Sequence, residues 1–117
     1  MTEAWIDATY EALFYDGRTP RTDQACQVLL QNGHIQVRYV DDGGNTVTYT
    51  GTERGPGHFE LRARTADGDG QATLHRFQAS PVLEGYWCEG TVRGMWRIRT
   101  ASTRGVPPKP ASLPVKG

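Results

Sequence analysis

The chain has 117 residues, 13 basic and 13 acidic side chains, and two cysteines. This length suits one domain with a modest core, and the charge balance gives no overall attraction to nucleic acid or to a membrane surface. No apolar run approaches the ~18 residues of a membrane span, two cysteines are too few for a disulfide framework, and residues 1–8 carry acids where a secretory signal carries cations. We therefore expect a reduced, cytoplasmic protein.

The sequence divides into three zones. Residues 1–8 form a short lead-in, with room for one helical turn, and residues 9–100 form the body. Residues 101–117 hold four of the seven prolines and few apolar groups. Such a composition cannot support packing, so the pattern predicts a disordered tail.

The body consists of short runs in which apolar and polar residues alternate, separated by Gly, Asn, Asp and Pro. These runs predict eight strands, at residues 10–16, 24–31, 34–41, 46–52, 58–65, 71–78, 82–88 and 95–100. Strands at intervals of about ten residues indicate an all-β, antiparallel up-and-down meander. The meander is predicted to close into a barrel, with a two-sheet sandwich as the alternative.

The turn residues predict which side chains face inward. Asn32-Gly33 is the strongest signal, since it suits a two-residue type I′ hairpin. Carrying the register onward from this turn keeps apolar residues opposite apolar residues at each step. The predicted inward set is Cys26, Val28, Leu30, Ile35, Val37, Tyr39, Val47, Tyr49, Phe59, Leu61, Ala63, Ala72, Leu74, Arg76, Leu83, Gly85, Trp87, Trp96 and Ile98.

The same register predicts individual cross-strand pairs. Phe59 is expected opposite Tyr49 on one side and opposite Arg76 on the other, and Trp87 opposite Trp96. Arg76 is thus the one charged side chain placed on the apolar face.

A closing hairpin rich in glycine and tryptophan gives the body a resemblance to a known group. Its residues are Gly85, Trp87, Gly90, Gly94 and Trp96. The body, over roughly residues 5–100, resembles the calycins: lipocalins, fatty-acid-binding proteins and avidins. The resemblance implies an up-and-down barrel with a ligand cavity. An inward Arg76 is similar to the carboxylate-binding arginine of fatty-acid-binding proteins, which implies a ligand with an acidic head group.

Arg76 has two interpretations, because a buried arginine keeps its charge and needs an anion or several acceptors. In one, it lies at the barrel end and reaches solvent or pairs with Glu84. In the other, it holds the head group of a small amphipathic or aromatic anion inside the barrel. The predicted ligand-binding residues are Arg76, Tyr39, Tyr49, Phe59, Trp87 and Trp96.

The sequence offers few patterns typical of catalytic or metal-binding sites. The sequence contains no nucleophile elbow and no phosphate loop, and Cys26 suits a buried structural thiol. His34 and His58 open strands at the same end, and His75 is expected opposite Glu60 on the outside. We therefore predict a protein that is not an enzyme and that needs no metal or other cofactor.

Two further functions involve the outer surface. A basic face is predicted from Arg38, Arg62, Arg64, Arg97 and Arg99, but single-stranded nucleic acid also needs exposed aromatic residues among the cations, so a solvated face is favoured. An apolar set on strands 1 to 3 predicts an interaction module that self-associates as a homodimer, unless the lead-in covers it. Its residues are Leu13, Tyr15, Leu29 and Val40.

Overall fold

The computed structural model of the protein describes residues 2–66 and 68–100, and these residues form strands and connecting turns with no helix. The predicted tail, 101–117, lies outside the described residues. The strands are β1 (Thr2–Phe14), β2 (Arg21–Gln31), β3 (His34–Val40), β4 (Thr46–Gly55), β5 (His58–Thr65), β6 (Gly68–His75), β7 (Val82–Glu89) and β8 (Val92–Arg99).

Each strand pairs antiparallel with the next, and β8 pairs with β1. The sheet is therefore a closed barrel in meander order, which confirms the predicted all-β, up-and-down fold and excludes the sandwich. Within the described residues no helix has the length and apolar character that crossing a membrane requires.

The hairpin between β2 and β3 has the predicted turn. Asn32 and Gly33 have φ angles of 52° and 81°, as a type I′ turn requires. Leu30 lies opposite Ile35 and Val28 opposite Val37. Since both pairs face inward, this turn sets the buried face of the two strands.

Both predicted cross-strand partners of Phe59 differ from the observed ones. Phe59 lies opposite Glu53 and Leu74, not opposite Tyr49 and Arg76. The first shift arises because β4 continues to Gly55, which pairs with His58 after a bulge. The second arises because Gly68 already belongs to β6, where it pairs with Thr65 of β5.

The closing hairpin is shifted in the same way. Trp96 lies opposite Gly85, and Trp87 opposite Gly94, because the turn is formed by two residues between Glu89 and Val92. Each of these shifts is an even number of residues. An even shift preserves the face to which every side chain points, so the predicted inward set is largely the observed core.

The predicted lead-in belongs to the barrel. β1 begins at Thr2, so residues 2–8 are extended and do not form a helical turn. A bulge separates Trp5 from Ala8, and both are buried. Because the bulge puts two inward residues three positions apart, it interrupts the alternation that identifies a strand in sequence.

The middle of the barrel is filled by aliphatic side chains that are almost wholly buried. They are Val28, Ile35, Val37, Leu61, Leu74, Leu83 and Ile98. An eight-stranded barrel has just enough interior for such filling. Any ligand site is therefore expected toward the ends of the barrel.

Candidate functional site

The two ends of the barrel each hold a cavity and an ionised side chain. The Glu89 end carries the loops 15–20, 41–45 and 90–91, and the Arg76 end carries the loops 32–33, 56–57 and 76–81. We call the cavity of about 370 Å³ that includes Glu89 the Glu89 cavity, and the cavity of about 580 Å³ that includes Arg76 the Arg76 cavity.

The inner wall of the Glu89 cavity is formed mainly by aromatic rings contributed by five strands. These rings belong to Tyr10, Phe14, Tyr39, Tyr49, Trp87 and Trp96. They arrive together because alternate residues of neighbouring strands share the inward face. The wall is therefore apolar and flat-sided, with phenol hydroxyl groups at three positions.

Hydrogen bonds and ring contacts fix the two tryptophans of this wall. The Trp87 Nε1 donates to the Met95 carbonyl oxygen, and the Trp96 Nε1 donates to the Thr73 carbonyl oxygen, each at 3.1 Å. The Trp96 ring centroid lies 5.4 Å from that of Tyr49. With both indole N–H groups satisfied by backbone, the tryptophans contribute only apolar ring surface to the cavity.

Glu89 is the polar centre of the cavity. The Tyr49 hydroxyl donates to Glu89 Oε2 at 2.5 Å, and the Tyr39 hydroxyl donates to the same oxygen at 3.3 Å. Gly70 makes this possible, since it lies opposite Glu89 and a Cβ there would stand 2.5 Å from the Tyr49 hydroxyl oxygen. The carboxylate is thus held from one side.

The tyrosines of the cavity titrate far above neutral pH. Burial, with the Glu89 carboxylate adding to it, raises the pKa of Tyr39 and of Tyr49 well above the ordinary value of 10. Burial likewise raises the pKa of Tyr10 to about 12. All three phenols therefore keep their protons at neutral pH, and Tyr39 and Tyr49 donate them to Glu89.

Ion pairs line the mouth of the Glu89 cavity. Arg21 donates to Asp42 at 2.7 Å, and Arg18 donates to Asp16 at 2.7 Å while its guanidinium lies 5.1 Å from the Phe14 ring centroid. Each arginine lowers the pKa of its carboxyl partner through the hydrogen bond. Two mouth carboxylates are thus paired with arginines, whereas Asp41, which also lines the cavity, accepts a hydrogen bond from the Asn45 N–H at 2.8 Å.

Arg76 lies at the opposite end and is held by protein groups. Its Nε donates to the Ser80 carbonyl oxygen at 2.8 Å, its Nη1 lies 3.2 Å from Glu3 Oε1, and its Cζ is 5.4 Å from the Trp5 ring centroid. The side chain is 17% exposed. The barrel-end interpretation is therefore the observed one, with Glu3 rather than Glu84 as the partner.

The structure divides the six predicted ligand-binding residues between the two ends. Phe59 lines the Arg76 cavity together with Arg76, and the other four line the Glu89 cavity. The expectation that Arg76 sits beside Tyr49 is wrong, because β6 ends at His75 and Arg76 bonds through its backbone to Gly57.

Sequence reasoning missed Glu89, Tyr10 and Phe14 as cavity residues. Glu89 follows Leu83, Gly85 and Trp87 at the next inward position, so continuing the alternation by one step would have found it. The prediction stopped the strand at residue 88. Tyr10 and Phe14 alternate with the apolar Leu13 and Tyr15, so alternation alone does not identify which face of this strand is inward.

The observed position of His75 differs from the predicted one. His75 lies opposite His58, not opposite Glu60, and His58 Nδ1 is 2.6 Å from His75 Nε2. Within residues 2–66 and 68–100, no group of three or more His, Cys, Asp or Glu side chains is arranged to hold a metal ion.

The outer surface carries the residues of the predicted basic face and of the predicted self-association surface. Arg97, from the predicted basic face, lies 3.0 Å from Glu84 and 3.5 Å from Glu11, which offsets part of the positive charge. Leu13 and Tyr15, 52% and 60% exposed, lie beside β8 rather than beside β2 and β3. The predicted self-association surface is therefore dispersed around the barrel.

Comparison with models of protein families, with curated proteins and with solved structures gives no match to this chain. The barrel of eight antiparallel strands is compatible with a calycin-like fold.

Proposed function

We propose that this protein binds a small amphipathic molecule with a flat apolar body in the Glu89 cavity, and that it acts by binding rather than by catalysis. The main support for this proposal is the cavity. It has a volume of about 370 Å³, is walled by aromatic rings, and lies at one end of a barrel whose middle is filled. Small-molecule sites in proteins have this size and this character, with an apolar lining and few polar groups.

The polar groups of the cavity support a binding role. Tyr39 and Tyr49 have raised pKa values and remain protonated at neutral pH, so neither is suited to act as a general base. Their hydroxyls and the Glu89 carboxylate instead supply directional contacts that orient a ligand.

The proposal is tested by filling the cavity. Ala12 lines it from β1 and is buried, so Ala12→Phe should occupy the space and abolish binding of tryptophol, a neutral indole alcohol, measured by protein-observed NMR titration. Ala25 is exposed on the outer face of β2. Ala25→Phe adds the same ring outside the barrel and should leave binding unchanged.

Native mass spectrometry of the purified protein gives an independent measurement. A bound small molecule that is present with the wild type and lost with Ala12→Phe supports the proposal. If Ala12→Phe and Ala25→Phe bound tryptophol equally strongly, the binding site would lie outside the Glu89 cavity.

A second proposal concerns self-association. The exposed Leu13 lies opposite Met95, which lies opposite Tyr86 on β7, and the exposed Tyr15 bonds through its backbone to Arg93 of β8. This gives an apolar strip across β1, β8 and β7 that a second copy of the chain would cover. Leu13→Glu should reduce dimerisation in sedimentation more than Leu29→Glu does, and a wild type that sediments as a monomer at about tens of micromolar would refute this.

A further inference from the structure

We propose that the ligand of the Glu89 cavity carries an ammonium group with N–H donors, which binds the Glu89 carboxylate while the apolar body of the ligand lies against the aromatic wall. This inference rests on the proposed function and specifies the class of ligand. It departs from the anion that the sequence alone suggested.

The charge of the lining favours a cation. Two arginines and three carboxylates line the cavity, so the lining carries one net negative charge. Both arginines are engaged at the mouth, Arg18 by Asp16 and Arg21 by Asp42. Glu89 is the remaining ionised group of the interior, and an anionic ligand would meet it without a free countercharge.

The geometry of Glu89 leaves one carboxylate oxygen open to a donor from a ligand. Both tyrosyl hydroxyls donate to Oε2, and among the described residues no group donates to Oε1. Glu89 is half-buried and Oε1 is accessible to water, so a ligand that displaces this water must supply a hydrogen bond in its place. An ammonium N–H placed in the cavity would satisfy Oε1 and neutralise the charge in one contact.

The aromatic wall favours a cation for a separate reason. The faces of tyrosine and tryptophan rings carry partial negative charge and attract cations that approach within about 6 Å. Tyr39 and Tyr49 reach Glu89 directly, and Trp96 packs on Tyr49, so an ammonium group at Oε1 would lie among these rings. The carboxylate and the rings thus favour the same charge at the same place.

The experiment compares three indoles that share a ring and differ in the terminal group: tryptamine, a cation; tryptophol, neutral; and indole-3-acetate, an anion. Their dissociation constants for the wild-type protein are measured by NMR titration at neutral pH. We expect tryptamine to bind about tenfold more tightly than tryptophol, because a charge-assisted hydrogen bond is stronger than a neutral one. Indole-3-acetate should bind most weakly.

The Glu89→Gln variant supplies the second measurement. The amide keeps an oxygen that accepts from the tyrosines but removes the charge, so tryptamine should lose about tenfold in affinity and tryptophol should change little. Glu84→Gln is the matched control, since Glu84 lies on the same strand, faces outward and pairs with Arg97. It should leave all three affinities unchanged.

The outcomes separate the two levels of the proposal. If tryptophol or indole-3-acetate binds the wild type as tightly as tryptamine does, the cavity binds small molecules and the ammonium inference is wrong. If none of the three binds, the proposed function itself fails. The wild-type series decides the charge preference even if Glu89→Gln does not fold.

Discussion

The two ends of this barrel each hold a half-buried ionisable side chain, yet they differ in how its charge is met. At one end the Arg76 guanidinium has a backbone carbonyl, a carboxylate and an indole ring as partners. At the other, both contacts of Glu89 converge on one carboxylate oxygen, and the second oxygen lies in a cavity. A charged side chain in a cavity therefore indicates a ligand only when its hydrogen-bonding capacity is not already used by the protein.

The largest effect is expected from a single methyl group at the Glu89 end. Gly70→Ala would place a Cβ 2.5 Å from the hydroxyl oxygen of Tyr49, which is almost wholly buried and cannot move aside freely. Overpacking of this kind should lower the free energy of unfolding by about 2–3 kcal/mol. Tryptophol affinity should fall as well, because the Tyr49 contact with Glu89 is displaced. Chemical denaturation and NMR titration measure the two effects.

The control for this variant lies at the opposite end. A Cβ at Gly55 meets no atom within 4 Å, so Gly55→Ala should change stability by less than about 0.5 kcal/mol. If Gly70→Ala and Gly55→Ala lowered the free energy of unfolding equally, the added methyl group at Gly70 would not clash with Tyr49.

At the Arg76 end, Gly33→Val should be costly for stability without affecting the Glu89 cavity. Gly33 has a φ of 81°, which a β-branched residue adopts only with strain, so we expect a loss of about 1–3 kcal/mol in unfolding free energy. Ligand affinity at the far end should be retained. An unchanged melting temperature would argue against the type I′ turn that sets the register of β2 and β3.

Replacing Arg76 tests the difference between the ends directly. Arg76→Leu removes the bond to the Ser80 carbonyl and the pair with Glu3, and should lower the unfolding free energy by about 1–2 kcal/mol. Affinity for the three indoles should not change. Selective loss of indole-3-acetate binding in this variant would instead restore Arg76 as an anion anchor.

A double-mutant cycle locates the Arg76 contribution. If the pair with Glu3 contributes, Arg76→Leu should cost less stability in a Glu3→Gln background than in the wild type. Additive losses would leave the Ser80 carbonyl and the Trp5 ring as the stabilising partners.

At alkaline pH we expect a further loss of stability, to which the tyrosines of the Glu89 end contribute. Burial raises the folded-state pKa of Tyr10 from 10 to about 12. Below pH 10 both folded and unfolded states hold this proton, whereas between pH 10 and about 12 the unfolded chain releases it first, so stability falls across that window. Tyr10→Phe should reduce the decrease in unfolding free energy between pH 10 and about 12. Urea unfolding at stepwise increasing pH measures it.

Cys26 adds to the same alkaline window, because burial raises the pKa of its thiol to about 12. Cys26→Ala should therefore reduce the loss of stability above pH 9. If neither Cys26→Ala nor Tyr10→Phe alters the pH dependence, burial of these groups does not govern it.

The fold and the inward faces were predictable because local patterns determine them. Alternation assigns a face to each residue, and turns such as Asn32-Gly33 fix the adjacent register. Errors of two or four residues in later hairpins left the faces intact. These errors arose where several glycines offered more than one position for the turn, as around Gly55 and Gly90.

The partners of the buried charges could not be predicted in this way. Glu3 meets Arg76 from a strand 73 residues away in sequence, and a bulge near Trp5 hid that strand. The position of Glu89 relative to Tyr49 depends on barrel closure and on the missing side chain at Gly70. Sequence patterns report burial, whereas which groups meet inside the barrel depends on its three-dimensional packing.

The pairing of β1 with β8 has a consequence for how the chain reaches this structure. The pairs from β1–β2 to β7–β8 join consecutive strands, whereas the closing pair sets Thr9 opposite Arg99, about 90 residues apart. Joining segments so distant costs about 4 kcal/mol of chain entropy before any contact is gained. Hairpins should therefore form early and the seam late. Pulsed hydrogen exchange during refolding should protect β2 and β3 before the amides shared by β1 and β8.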